Sequence, residues 1–113
     1  MDPKSAREAA ILAVVRALRT GEVASYGEVG RRAGLPRGAR EVVRVLKAAD
    51  DPTLPWHRVV RSDGRIGFPE GSRLYSEQAR RLRREGVSVT RGRVRAKARP
   101  EQDLDALLWR HGD

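Results

Sequence analysis

A chain of 113 residues, 39% hydrophobic and 35% charged, with two Trp, two Tyr and one Phe, holds a single domain around a small, mostly aliphatic core. The absence of cysteine excludes disulfides, thiolate metal sites and cysteine nucleophiles, and two histidines make a poor basis for zinc, so neither a metal nor a cofactor is expected. A formal net charge of +9 points to a polyanionic partner, nucleic acid before a membrane surface, and with no bilayer-length apolar run or signal-peptide core the chain is expected to stay in the cytoplasm.

In chain order, Ala10, Ile11, Val14, Val15 and Leu18 recur on one helical face, which predicts a helix over Ser5 to Arg19, stopped by Gly21. Ser25 and Glu28 fit a reciprocal capping box for a second helix that runs to about Ala33 and ends at Gly34. Pro36 suits the first position of a third helix that reaches about Ala49. Together these form a helix-turn-helix at about 26–49. On the third helix Ala39, Val42, Leu46 and Ala49 take one side. Arg37, Arg40, Arg44 and Lys47 take the other, a basic stripe expected to face nucleic acid.

Beyond it, Arg58 to Arg61 and Arg65 to Phe68 read as short extended segments around a Ser62-Asp63-Gly64 turn. A further helix is predicted over Gly71 to Glu85, with Leu74, Tyr75, Gln78, Ala79 and Leu82 inward and Gly86 as its cap. Val87 to Val89 and Arg93 to Arg95 are candidates for a terminal hairpin. The domain is taken as residues 1–99. The tail, 100–113, carries Leu104, Leu107, Leu108 and Trp109 at amphipathic spacing.

Two stretches carry a resemblance. "SYGEVGRRAGLPRGAREV" (25–42) followed by "PWHRVVRSDGRIG" (55–67) resembles the DNA-binding domain of O6-alkylguanine-DNA alkyltransferases. It covers about residues 5–95 and implies a mostly α fold with a small β element, like a winged helix-turn-helix. In that family the second motif reads Pro-Cys-His-Arg-Val, and the cysteine accepts the alkyl group. Trp56 stands in that slot here, so the chain resembles the alkyltransferase-like branch, which binds alkylated guanine without repairing it. Dealkylation needs a nucleophile, and an indole offers none.

The resemblance also assigns roles. Tyr26 would crowd the phosphate of a flipped nucleotide, and Arg40 would act as the finger that fills the hole left in the duplex. Trp56, His57, Val59 and Glu85 would belong to the lesion pocket, with His57 and Glu85 kept as a structural hydrogen-bonded pair and Val59 offering its carbonyl to guanine. Ser62 would touch phosphate, whereas Arg58 reads as an anchor. The segment Phe68-Pro69-Glu70-Gly71 departs from the family's Tyr-Ser-Gly-Gly, so the family's serine donor to O6 is absent. The implied partners are double-stranded DNA containing O6-alkylguanine and, by resemblance only, the damage-recognition ATPase of nucleotide excision repair. The chain is expected to act as a monomer. Two alternatives remain open from the residues themselves: a helix-turn-helix transcription regulator, and a hydrolase that uses His57 and Glu85 to activate water.

Overall fold

The structure, a computed structural model, describes residues 2–95. The end of the domain at 99 and the tail with its leucines and Trp109 lie outside the described residues. The elements run α1 (Pro3–Ala17), β1 (Ala24–Ser25), α2 (Tyr26–Arg32), α3 (Ala39–Ala48), a single 3-10 turn (Trp56–Arg58), β2 (Val59–Val60), α4 (Arg73–Arg84), β3 (Ser88–Thr90) and β4 (Arg93–Arg95).

Local chemistry sets most of the boundaries. Helix α1 starts two residues before Ser5, because Asp2 Oδ1 accepts from the Ser5 N–H at 2.8 Å and Pro3 occupies the first turn. The Ser25 hydroxyl accepts from the Glu28 N–H at 3.1 Å, so half of the capping box forms. The other half does not, since the Glu28 carboxylate is held by Arg31 at 2.6 Å and Arg32 at 3.0 Å. Gly34, at φ +83°, turns the chain out of α2.

The third helix begins at Ala39, not at Pro36. Pro36 instead takes the second position of a turn closed by the Gly38 N–H donating to the Leu35 carbonyl at 3.0 Å, a site that proline's fixed φ suits equally well. Arg37 therefore rides on the turn, and Ala39 is exposed. The inward face of α3 is Val42 and Val45, with Leu46 and Ala49 half-buried beside them.

Strand β2 does not fold back on 65–68. It pairs in parallel with β1, Ala24 opposite Val59 and Ser25 opposite Val60. Arg61 and Arg65 close the 62–64 turn, and Arg65 bridges to Arg93 of the terminal hairpin. Helix α4 starts at Arg73 under a Ser72 cap and ends in a Schellman motif. There the Val87 N–H reaches Leu82 O, the Gly86 N–H reaches Arg83 O, and Gly86 sits at φ +87°. Gln78, Ala79 and Leu82 are buried and Tyr75 half-buried as expected, but Leu74 is 39% exposed. The hairpin forms with β3 one residue later than predicted, Val89 opposite Val94.

Two apolar clusters result. Ile11, Val15, Leu18, Val29, Val42, Val45 and Val59 pack α1, α2 and α3 around the β1–β2 pair. Ile66, Ala79, Leu82, Val87 and Val89 pack α4 on the hairpin. The approach of α2 to the turn depends on Gly30, where a Cβ would sit 3.0 Å from Leu35 O and 3.3 Å from Gly38 C. By helix propensity alone Gly30→Ala would stabilise by about 1 kcal/mol. Because the colliding atoms are backbone, we expect net destabilisation of roughly 1–3 kcal/mol, read from urea unfolding, with loss of the helix-turn-helix geometry.

Candidate nucleic-acid interface

At the C-terminal end of α3 a cavity of about 430 Å³ opens between α3, the Asp50-Asp51-Pro52 bend and the start of α4. That volume falls in the range of small-molecule pockets. Tyr26, Trp56 and Phe68 give it aromatic walls, Val43, Leu46 and Leu74 add aliphatic surface, and Lys47, Asp50 and Asp51 bring charge to it. The exposed Leu74 is thus part of the cavity lining.

Trp56 is partly exposed and held on several sides. Phe68 packs edge-on at 5.7 Å, His57 edge-on at 6.3 Å, and the Arg81 guanidinium lies 5.3 Å from the indole centroid. Tyr26 stands at the first position of α2, and its hydroxyl lies 2.7 Å from where a Cβ on Gly67 would be, so a side chain at 67 would displace the phenol ring. Burial raises the Tyr26 pKa and the charge of Arg61 partly offsets this, which leaves a neutral phenol at physiological pH.

Behind the aromatic wall lies a polar anchor. The Glu85 carboxylate accepts from Arg58 Nε at 3.0 Å, from Arg58 Nη2 at 2.8 Å and from the Gly21 N–H at 2.9 Å, and its Oε2 lies 2.7 Å from His57 Nε2. Arg58 Nη1 continues to Leu18 O at 2.8 Å and Nη2 to Thr20 Oγ1 at 3.1 Å, the geometry of an anchor rather than a base reader. Partial burial would raise the Glu85 pKa, but Arg58, the Gly21 amide and His57 outweigh it and hold it at about 2. Burial lowers the His57 pKa, against the pull of Glu85, so the ring is neutral near pH 7. Since ionised Glu85 only accepts, the neutral ring must carry its proton on Nε2. Gln78, fully buried, gives its amide N–H groups to the carbonyls of His57 at 3.0 Å and Val59 at 2.9 Å.

The structure therefore divides the residues singled out by sequence. Trp56, Tyr26 and Lys47 line the cavity. His57, Val59 and Glu85 do not. They form its support, and the Val59 carbonyl already accepts from Gln78. Arg37, Arg40 and Arg44 are exposed at or beside α3 and outside the cavity, and Ser62 is exposed at the tip of its turn. Arg44 is partly neutralised by Glu41 at 3.5 Å and Glu8 at 3.7 Å, whereas Arg37, Arg40 and Lys47 have no carboxylate partner among the described residues. Sequence reasoning missed Val43, Leu46, Phe68 and Leu74 as cavity walls. The available signal was Phe68 itself, the lone phenylalanine in a loop that breaks the family pattern.

The family described as 6-O-methylguanine DNA methyltransferase, DNA binding domain, matches residues 6–87. The chain belongs to this family.

Two relatives bring it to the alkyltransferase-like branch. The chain is 44% identical over 78 residues to the DNA base-flipping protein of Escherichia coli, a match covering 68% of this chain and 59% of that protein. It is 40% identical over 70 residues to alkyltransferase-like protein 1 of Schizosaccharomyces pombe, covering 61% of this chain and 65% of the relative. The match thus spans less than two thirds of either relative's length. Among solved structures, the S. pombe protein in complex with damaged DNA containing O6-carboxymethylguanine superposes with a TM-score of 0.69 at 30% identity, over 90% of this chain and 96% of that one. The Mycobacterium tuberculosis OGT–DNA complex gives 0.56 at 27% identity, over 75% of this chain and 50% of that one. The mostly helical fold with two small sheets is that of this domain family.

For this family member, the polar anchor predicts a pH dependence with a definite sign. Both folded-state pKa values lie below the unfolded ones, so both groups contribute stability above their unfolded pKa and lose it as pH falls. Thermal melts should show Tm falling first below pH 6.5, from His57, and again between pH 4.5 and about 2, from Glu85. Glu85→Gln should flatten the second fall. Glu85→Ala, which strands Arg58 and two further donors, should cost about 3 kcal/mol in chemical denaturation at pH 7.

Proposed function

We propose that the protein is a DNA damage sensor that captures O6-alkylguanine from duplex DNA and leaves the alkyl group in place. The observation that carries this reading is a cavity of about 430 Å³, roomy enough for a base, beside the basic third helix, walled by Trp56 and Tyr26, in a chain without cysteine. Guanine O6 lies at the major-groove edge of a stacked base, so a recessed cavity can enclose the alkylated base only if the nucleotide rotates out of the duplex. The names of the relatives, a base-flipping protein and an alkyltransferase-like protein crystallised on damaged DNA, support the same step here.

In this reading Arg37, Arg40 and Lys47 grip phosphates along the groove, Arg40 enters the stack where the base has left, and Tyr26 presses on the rotated phosphate. Trp56 takes the place that the motif gives to the alkyl-accepting cysteine and offers an apolar plate to the adduct. Direct transfer has no nucleophile, because an indole carries no thiolate and cysteine is absent from the chain. His57 and Glu85 hold the turn that carries Trp56 and move no proton. The captured site, with its DNA deformed, would then pass to the damage-recognition ATPase of nucleotide excision repair, an extension that rests on family resemblance.

Titration of otherwise identical duplexes carrying guanine or O6-methylguanine, followed by mass spectrometry of both components, tests the reading. A sensor binds the modified duplex more tightly and changes neither mass. Loss of the methyl group from DNA would make the protein an enzyme, and equal affinity for both duplexes with preference for a third sequence would make it a regulator. Trp56→Ala should weaken lesion binding by about tenfold or more, in line with the roughly 1–3 kcal/mol of a base–aromatic contact, while affinity for the unmodified duplex changes little.

A further inference from the structure

A second basic surface lies away from α3. The pleat of the β3–β4 hairpin turns Val89 and Val94 inward and leaves Ser88, Thr90, Arg93 and Arg95 exposed. The register sets Ser88 opposite Arg95 and Thr90 opposite Arg93, so each arginine has a hydroxyl-bearing residue as its cross-strand partner. The turn between the strands is Arg91-Gly92, with φ of 51° and 77°. A left-handed position favours glycine or asparagine, and an exposed arginine there brings strain without any hydrogen bond in return among the described residues.

The hairpin is fastened to the 61–65 turn. Arg65 bridges to Arg93, the Ile66 N–H donates to Gly92 O at 2.9 Å, and the Val94 N–H donates to Gly64 O at 2.7 Å. Arg61 and Arg65 thereby join Arg91, Arg93 and Arg95 on one strip. Of these, only Arg61 has a carboxylate partner among the described residues, Asp63 at 3.2 Å. Arginines opposed across a bridge repel each other, so stability of the fold does not account for the arrangement. The near end of the strip adjoins the head of α2, because Val60, which precedes Arg61, pairs with Ser25, which precedes Tyr26.

We infer that this strip, Arg61, Arg65, Arg91, Arg93 and Arg95 with the hydroxyls of Ser88 and Thr90, grips the phosphate backbone of duplex DNA on the flank of the α3 contact. The inference rests on the DNA-binding reading above and adds a second contact surface to it. Residues two apart on a strand are about 7 Å apart, and one DNA strand presents a phosphate about every 3.4 Å of axis, so Arg93 and Arg95 reach different phosphates. Such contacts carry no base information and should raise affinity for damaged and undamaged DNA alike.

The test is the salt dependence of binding to long duplexes with and without O6-methylguanine, for the wild type, the double variant Arg93→Gln/Arg95→Gln, and Arg91→Gly. Each lost phosphate contact should reduce the log–log slope by about 0.9. We expect slopes shallower by about 2 for the double variant and about 1 for Arg91→Gly, on both duplexes, with the damaged-to-undamaged ratio of each protein unchanged. Arg91→Gly should keep or raise Tm, since glycine suits the turn, so its weaker binding cannot be laid to unfolding and decides the matter even if the double variant melts early. Wild-type slopes in both variants would overturn the inference and leave the strip to an acidic protein partner. Lesion preference in the wild type alongside unchanged slopes would sink the strip alone. Equal binding of both duplexes by the wild type would sink the sensor reading, while the slopes would still judge the strip.

Discussion

The Glu85 carboxylate joins parts of the chain that border different apolar clusters. It sits at the C-terminal cap of α4, which belongs to the cluster of Leu82, Val87 and Val89. Its partners, the Gly21 amide, Arg58 and His57, belong to the end of α1 and to the 3-10 turn, which border the other cluster. Arg58 extends the tie to Leu18 O and Thr20. A carboxylate that receives a forked guanidinium, a backbone amide and an imidazole has most of its acceptor capacity filled, which is the condition under which a largely buried charge is tolerated. Two small apolar clusters, each too slight to define a domain, are thereby held in one orientation.

That orientation fixes the site. Trp56 precedes His57 in the 3-10 turn, and Gln78 clamps the carbonyls of His57 and Val59 from within the core. The turn therefore has little freedom, and the indole it carries is constrained by its backbone as well as by Phe68 and Arg81. A hydrolytic role for His57 fits this poorly. Its Nε2 is committed to Glu85, its Nδ1 is buried, and the ring does not line the cavity. The His57–Glu85 pair ties the 3-10 turn to the C-terminal cap of α4.

What the sequence disclosed were features with local causes. Ser25 and Gly86 marked a helix start and a helix end because a cap is set by a few neighbouring residues. Pro36 misled because proline fits both the first turn of a helix and the second position of a β-turn, and Gly38, two residues on, settles the choice in favour of the turn. The parallel pairing of β1 with β2 was invisible, since two residues per strand give no period and the partners are far apart in sequence. Leu74 has helical spacing with Gln78, yet the first turn of α4 overhangs the cavity while the later turns enter the core. The motif resemblance gave Trp56 and Tyr26. It did not give Phe68, because that loop is where the chain leaves the family pattern.

Charge is also distributed by structure more than by count. Much of the arginine is spent within the fold: Arg7 on Glu41, Arg16 on Asp51, Arg31 and Arg32 on Glu28, Arg58 on Glu85, and Arg80 and Arg81 on Glu77. These pairs are mostly exposed and add little stability, but they remove positive potential from the surfaces they cover. Among the described residues, the cations without carboxylate partners include Arg37, Arg40 and Lys47 at α3 and Arg65, Arg91, Arg93 and Arg95 around the hairpin. A uniformly basic shell would attract a polyanion in any orientation. Two runs of free cations, one of them beside an aromatic cavity, instead give the surface distinct basic faces.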